Sequence, residues 1–369
     1  MADARSRLTV CVTGHAGYLG TVLVPALQAQ GHRVLGLDSL LFAGCAVSGE
    51  ADDDPPTAIA ARTVDVRDIR PADVAGADAV VHLAGLSNDP LGDFDPALTR
   101  SINRDATIAV AEAAKSAGVR RFVFASTCSV YGAAGHDVVD ETSPVDPLTA
   151  YAASKAEAER GLLALADRRF APVVLRFATA FGFSRMLRFD LVANNLVAHA
   201  LGSGRVLLKS TGDAWRPLIH VRDIAAAIAE ALVAPADAVA GAVVNVGADR
   251  ENHRVRSIAE AVADVVPGAR IVFAEGATAD RRSYRVDFSR LRRVLPGFAC
   301  RWTLTSGLQD LHAHLGRIAL ATDDHEGPRF ARLAHLRAEI AAGRMDRALR
   351  RSAPAPDPAP ATATDATAR

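Results

Sequence analysis

The chain has 369 residues, with 42 Lys plus Arg against 42 Asp plus Glu, and half of it is hydrophobic. A formal net charge of zero leaves no nucleic-acid footprint, and the apolar share is ample for one large domain or two intimately joined ones. Cys11, Cys45, Cys128 and Cys300 lie far apart without C-x-x-C spacing, which points to neither a zinc site nor a disulfide framework and fits a reducing cytoplasm.

Met1 to Arg7 lead into a short apolar strand, not into the core of a signal peptide. No apolar run approaches the ~20 residues of a membrane span. Leu8 to Thr13 reads as a buried strand that stops at Gly14. Residues 21–30 follow as a helix closed by Gly31, with Pro25 in its first turns. The turn between them, Gly14-His-Ala-Gly17-Tyr18-Leu19-Gly20, has the spacing G-x-x-G-x-x-G. Glycines there let the backbone approach a pyrophosphate, and the helix N-terminus offers unpaired N–H groups.

Arg33 to Leu37 is a second strand ending in Asp38. A carboxylate at that point can accept hydrogen bonds from both ribose hydroxyls and would repel a 2′-phosphate, so NAD(H) is preferred over NADP(H). Asp52-Asp53-Asp54-Pro55-Pro56 reads as a solvated acidic loop, and no metal site is assigned. Strands recur at Ala79–Leu83, Phe122–Ala125 and Val173–Phe177, with helical stretches at 105–117 and 151–166. That alternation predicts a parallel sheet with helices on both faces. His82 reads as a packed imidazole at a strand end and carries no chemistry.

Tyr151-Ala-Ala-Ser-Lys155 sets a phenol and an ammonium at i and i+4 on one helix face. The chain has only four Tyr, and 39 of its 42 basic residues are Arg, so the pair stands out. Lys is a compact point charge suited to holding a neighbouring phenol in its ionised state.

Together with His82-Leu83-Ala84-Gly85, Asp65-Val66-Arg67-Asp68, Asn103 and Ser126-Thr127-Cys128-Ser129-Val130-Tyr131-Gly132, the glycine turn and the Tyr151–Lys155 pair resemble the extended short-chain dehydrogenase/reductases. More narrowly, the chain resembles the nucleotide-sugar epimerase/dehydratase branch over roughly residues 8–325. The resemblance implies an α/β fold: a Rossmann-type doubly wound parallel sheet with a smaller, discontinuous α/β substrate lobe. The expected division is an NAD-binding domain over 1–180, rejoined by 217–248, and a nucleotide-sugar lobe over 181–216 and 249–328. A C-terminal helix over 329–352 and a disordered Pro/Ala/Thr tail over 353–369 would follow.

By the same resemblance, NAD is held by Gly14, Gly17, Tyr18, Leu19, Gly20, Asp38, Asp65, Val66, Leu83, Ala84, Gly85, Asn103, Tyr151 and Lys155, with Asp65 and Val66 flanking the adenine. Thr127, Tyr151 and Lys155 are the implied catalytic set. Ser87, Thr127, Asn195, Arg216, Asp280 and Arg282 are the implied contacts to a nucleotide-diphosphate sugar. Arg forks suit a diphosphate independently of the analogy. Arg185 and Arg188 are weighed for the sugar or a 6-carboxylate. Two copies are expected to pair through helices 105–117 and 151–166.

A free phenol has a pKa near 10, so base work near neutrality needs about 4 kcal/mol of phenolate stabilisation. One cation at about 4 Å supplies roughly that at an effective dielectric near 20. Tyr151 would take the proton of a sugar hydroxyl, and Thr127 would steady the same oxygen. The dehydratase branch carries an Asp-Glu pair directly after that Thr, whereas Cys128 and Ser129 stand here. Oxidation at C4 followed by reduction on the opposite face is therefore the expected reaction. The alternatives are an NDP-4-ketosugar reductase, another nucleotide-sugar isomerase, or a silent NAD-binding regulator. Cys128 reads as a small packed residue behind Thr127, with an extra acid/base role as the other option.

Overall fold

The computed structural model describes residues 7–47, 58–134, 137–318, 320, 324 and 326–351. Among these, seven parallel strands form the central sheet. Their spatial order is Val243–Val246, Ala171–Phe177, Arg121–Thr127, Ala79–His82, Thr9–Thr13, Arg33–Asp38 and Ala60–Thr63. The sheet is Rossmann-like and doubly wound. Side chains alternate across it. Val10 and Val12 join a core with Leu23 and Leu27 of helix Gly20–Ala29 and Ile224 and Ile228 of helix Val221–Val233. Cys11, between them, belongs to the opposite core with Val110 of helix Ala106–Ser116 and Leu162 of helix Ala150–Ala164.

From Thr13 the chain builds outward to Arg33–Asp38 and Ala60–Thr63. It then crosses to build on the other side, from Ala79–His82 onward. That reversal opens a crevice beyond the carboxyl ends of Thr9–Thr13 and Ala79–His82, where ligands of such sheets bind. The edge strand Ala60–Thr63 was not among the expected strands. All four of its residues are exposed, so no apolar run announces it.

A second core includes Phe189, Leu196, Leu218, Ile258 and Leu308. It lies among helices Val192–Ser203, Val255–Val265 and Leu304–Leu315 and the paired strands Arg205–Ser210 and Arg270–Thr278. A three-stranded sheet orders Asn252–Arg254, Trp215–His220 and Thr179–Phe181.

The C-terminal helix is shorter than the sequence pattern suggests. It runs over Arg332–Ala341, and Gly343, at φ 70°, turns the chain back. Residues 344–351 then continue without helix, closed by a bridge between Met345 and Arg351. The acidic loop Asp52–Asp54 and the tail 353–369 lie outside the described residues. No helix of the described residues is long and apolar enough to cross a membrane.

Candidate active site

The glycine turn is shaped by close backbone approach. Gly14 has φ 76°, and a Cβ there would stand 2.7 Å from the Ala84 amide nitrogen. A Cβ on Gly20 would meet the Gly14 carbonyl oxygen at 2.3 Å. Helix Gly20–Ala29 begins with no side-chain cap; the N–H groups of Thr21, Val22 and Leu23 bond the Gly17 and Leu19 carbonyls, so the approach of a ligand is to the glycine turn just before them. Gly14, Gly17, Tyr18, Leu19, Asp38, Asp65, Val66, Leu83, Ala84, Gly85 and Ser87 line one crevice together.

Asp38 accepts hydrogen bonds from the backbone N–H of Ala16 at 3.1 Å and of Leu40 at 2.8 Å. Burial nevertheless pushes its carboxyl up from the usual range. Two N–H bonds hold the side chain at the strand end, where a diol could reach its free lone pairs. Asp65 pairs with Arg67 at 2.6 Å and Arg350 at 3.0 Å; against burial, these arginines hold its pKa low. Asn103 is fully buried in a π-helical turn, Ser101–Asp105. Its amide bonds both backbone groups of Leu86 and the Ser154 hydroxyl. It therefore joins the crevice loop to the helix that carries Tyr151.

That helix starts where Thr149 caps the Ala152 N–H, and the Thr149 hydroxyl donates to Asp89 at 2.7 Å. Tyr151 lies in the first turn and Lys155 one turn later. Burial pushes the Tyr151 phenol up, and Asp89 adds to this. A hydrogen bond with Thr127 and the charge of Arg188 pull the other way. Thr127 ends strand Arg121–Thr127, so strand and helix bring the two hydroxyls together. Lys155 is buried, and its ammonium donates to the Ala125 carbonyl at 2.8 Å. Burial lowers its pKa to about 8, with Glu159 opposing. A methyl at Gly85 would stand 3.9 Å from Lys155 Nζ, so the ammonium abuts the crevice floor.

Cys128 is fully buried; its thiol donates to the Arg176 carbonyl at 3.2 Å, and burial pushes its pKa up. It is a packed residue, unsuited to proton transfer near neutrality. Ser129 exchanges hydrogen bonds with Thr127 at 3.1 Å and Tyr284 at 3.3 Å. His82 bonds Thr13 at 2.7 Å and Thr107 at 2.9 Å, and burial drops its pKa to about 3.

On the second-lobe side, Asp280 is gripped by Arg216 at 2.6 Å and Arg282 at 2.8 Å. Arg282 also pairs with Asp89. Against burial, the two guanidinium groups hold the Asp280 carboxyl below its usual range. Two guanidinium groups here face two carboxylates, Asp280 and Asp89, so the corner is formally neutral, and a diphosphate would bind by taking over guanidinium donors that these carboxylates now hold. Asn195 donates to the Phe189 carbonyl at 2.8 Å. Arg185 is half-buried, and its carbonyl accepts the Val47 N–H at 2.8 Å. Arg188 pairs with Asp190 at 2.8 Å and donates to Ser87 at 3.0 Å, on the wall of the crevice.

Sequence reasoning missed the wall supplied by residues 332–351. Arg332 lines the crevice. Arg67 donates to the Ala348 carbonyl at 2.8 Å, Arg351 to Leu40 at 2.8 Å, and Arg350 pairs with Asp65 and Asp68. Leu336, Met345 and Leu349 pack on Leu86, Leu91 and Ile102. Only the apolar spacing of the helix hinted at a buried face, and nothing in it named the partner.

The model of the NAD-dependent epimerase/dehydratase family matches residues 10–247. A UDP-glucose 4-epimerase of Mycolicibacterium smegmatis is 31% identical over 300 residues, 77% of this chain and 91% of that protein. A dTDP-glucose 4,6-dehydratase of Streptomyces griseus is 31% identical over 305 residues, 80% of this chain and 90% of its own. Among solved structures, MoeE5 in complex with UDP-glucuronic acid and NAD superposes with TM-score 0.72 at 28% identity, covering 84% of this chain and 99% of that one. The Thermus thermophilus UDP-glucose 4-epimerase complex with NAD gives TM-score 0.68 at 25% identity, covering 85% and 100%. The cofactor is NAD, and the residues present fit it: a glycine cradle that any Cβ would fill, an uncapped helix start, and a fixed carboxylate at the second strand end. The chain belongs to the NAD-dependent epimerase/dehydratase family.

Proposed function

We propose that the protein is a nucleotide-sugar 4-epimerase. The observation that carries this reading is the neighbourhood of Thr127. Its hydroxyl meets the Tyr151 phenol, while the next two residues are a buried thiol and a serine, neither able to expel water as a carboxylic acid would. Bound NAD supplies the acceptor, and later the donor, of the hydride at C4. Tyr151 takes the proton of the C4 hydroxyl and returns it after the ketosugar has turned over. Thr127 donates a hydrogen bond to the same oxygen and stabilises its developing charge. Lys155, against Gly85, keeps a positive charge beside the crevice floor, whereas the groups that favour the phenolate against burial are Thr127 and Arg188 and not, as expected from the i, i+4 spacing, Lys155. Arg216 and Arg282 hold the diphosphate.

The relatives' ligands name the first substrates to try. MoeE5 is seen with UDP-glucuronic acid and with UDP-glucose, each together with NAD. The purified protein is incubated with each sugar, without added cofactor, and the C4 configuration is followed by NMR. The expected result is an equilibrium mixture of C4 epimers. Tyr151→Phe should slow it by roughly 10²- to 10⁴-fold while NAD still binds. A stoichiometric demand for NADH, or unchanged turnover in Tyr151→Phe, overturns the reading.

A further inference from the structure

Two guanidinium groups sit in the wall of the NAD crevice, and they have one carboxylate, Asp190, between them, which is ion-paired with Arg188 alone. Arg188 is 6% exposed and takes Asp190 with both Nε, at 3.0 Å, and Nη2, at 2.8 Å. Asn88 donates to the same carboxylate. Arg332 is 3% exposed. Its Nη2 donates to the Met186 carbonyl at 2.7 Å, and its guanidinium lies 4.9 Å from the centre of the Phe42 ring. Its Nη1 is buried with no hydrogen-bond partner, and it forms no ion pair among the described residues. The Cys45 thiol hydrogen-bonds it but is held neutral by burial, and the nearest carboxylate charge, Asp190, is already taken by Arg188.

An unpaired buried cation is costly, by several kcal/mol in general, unless an anion joins it. The same crevice is lined by Gly14, Gly17, Tyr18 and Leu19, the strand-to-helix glycine turn that in sheets of this kind lies against a dinucleotide's pyrophosphate. The anion that NAD brings to such a turn is its diphosphate. We propose that Arg332 is a cofactor-binding residue, reaching the NAD diphosphate from a C-terminal helix that lies beyond the segment matched by the family model. Arg188 completes the pair of cations, and the contacts of Ala348, Arg350 and Arg351 hold the segment against the adenosine end. This assignment rests on the NAD site alone and is independent of which sugar is turned over.

The test is calorimetric titration of cofactor-stripped full-length protein with NAD, ADP and adenosine. Arg332→Met keeps the side chain's length and removes its charge. Affinity for NAD and ADP should fall about 10- to 100-fold, while adenosine, which has no diphosphate, changes less than about twofold. If NAD and ADP are unaffected, the proposal is wrong. A loss of adenosine affinity in proportion to ADP also overturns it, because the segment would then act only as a cover. Should Arg332→Met not fold, Arg332→Lys keeps the charge without the fork. A smaller loss confined to NAD and ADP supports the assignment, and no selective loss removes it.

Discussion

His82 shows how a strand end carries an imidazole with no charge. Threonine hydroxyls occupy both ring nitrogens, and burial lowers its pKa to about 3; His220, also buried, is lowered to about 3. Between pH 6.5 and about 3 the unfolded chain binds protons that the folded chain refuses. Stability therefore falls as pH falls through that window, at up to about 1.4 kcal/mol per pH unit for each such histidine. Urea midpoints measured from pH 7 down to 5 should drop, and His82→Gln should make the drop shallower. An identical slope in that variant would show that His82 is not one of the groups responsible. The scarcity of Tyr and Lys made Tyr151 and Lys155 legible as residues. Arg332 was not, because it is one arginine among 39. Its meaning comes from having no ion-paired carboxylate of its own among the described residues, which only packing reveals.

At the scale of elements, helix Ala150–Ala164 is fixed to strand Ala171–Phe177 by a buried ion pair. Glu159 and Arg176 meet at 2.7 Å, and Arg176 goes on to the Tyr131 hydroxyl at 2.9 Å. Ser126 bonds the same carboxylate. Glu159→Ala strands the guanidinium and should cost roughly 3–5 kcal/mol in chemical denaturation. A loss below about 1 kcal/mol would mean that Arg176 finds another partner. The same substitution removes the charge that opposes the lowering of Lys155, so the ammonium pKa should fall further below 8. The strands were readable because a parallel sheet buries both faces and so writes apolar runs ending at Gly14 or Asp38. Strand Ala60–Thr63 escaped notice because its solvated edge needs no such run. The helix around residue 332 was readable as amphipathic, but no local pattern states that its apolar side meets Leu86 and Ile102.

For the whole molecule, helices Ala106–Ser116 and Ala150–Ala164 touch closely; a Cβ added at Gly161 would be 2.5 Å from Ile108 Cδ1. This tight pair is the surface through which we expect two copies to join. Sedimentation velocity at micromolar concentration should give twice the 38.7 kDa chain mass. A species at the single-chain mass would remove the expectation.

The segment 332–351 also imposes an order of events on biosynthesis. Every other wall of the NAD crevice is encoded before it, within residues 14–188. While the ribosome is still translating the second lobe, the adenosine end has its floor but not its cover. A dinucleotide captured then meets an open side and one guanidinium fewer. Residues 332–351 add the Arg332 guanidinium and the contacts to Arg67, Leu40 and Asp65 after the catalytic hydroxyls have been made, so, if Arg332 binds the cofactor as proposed, full retention of NAD would come last.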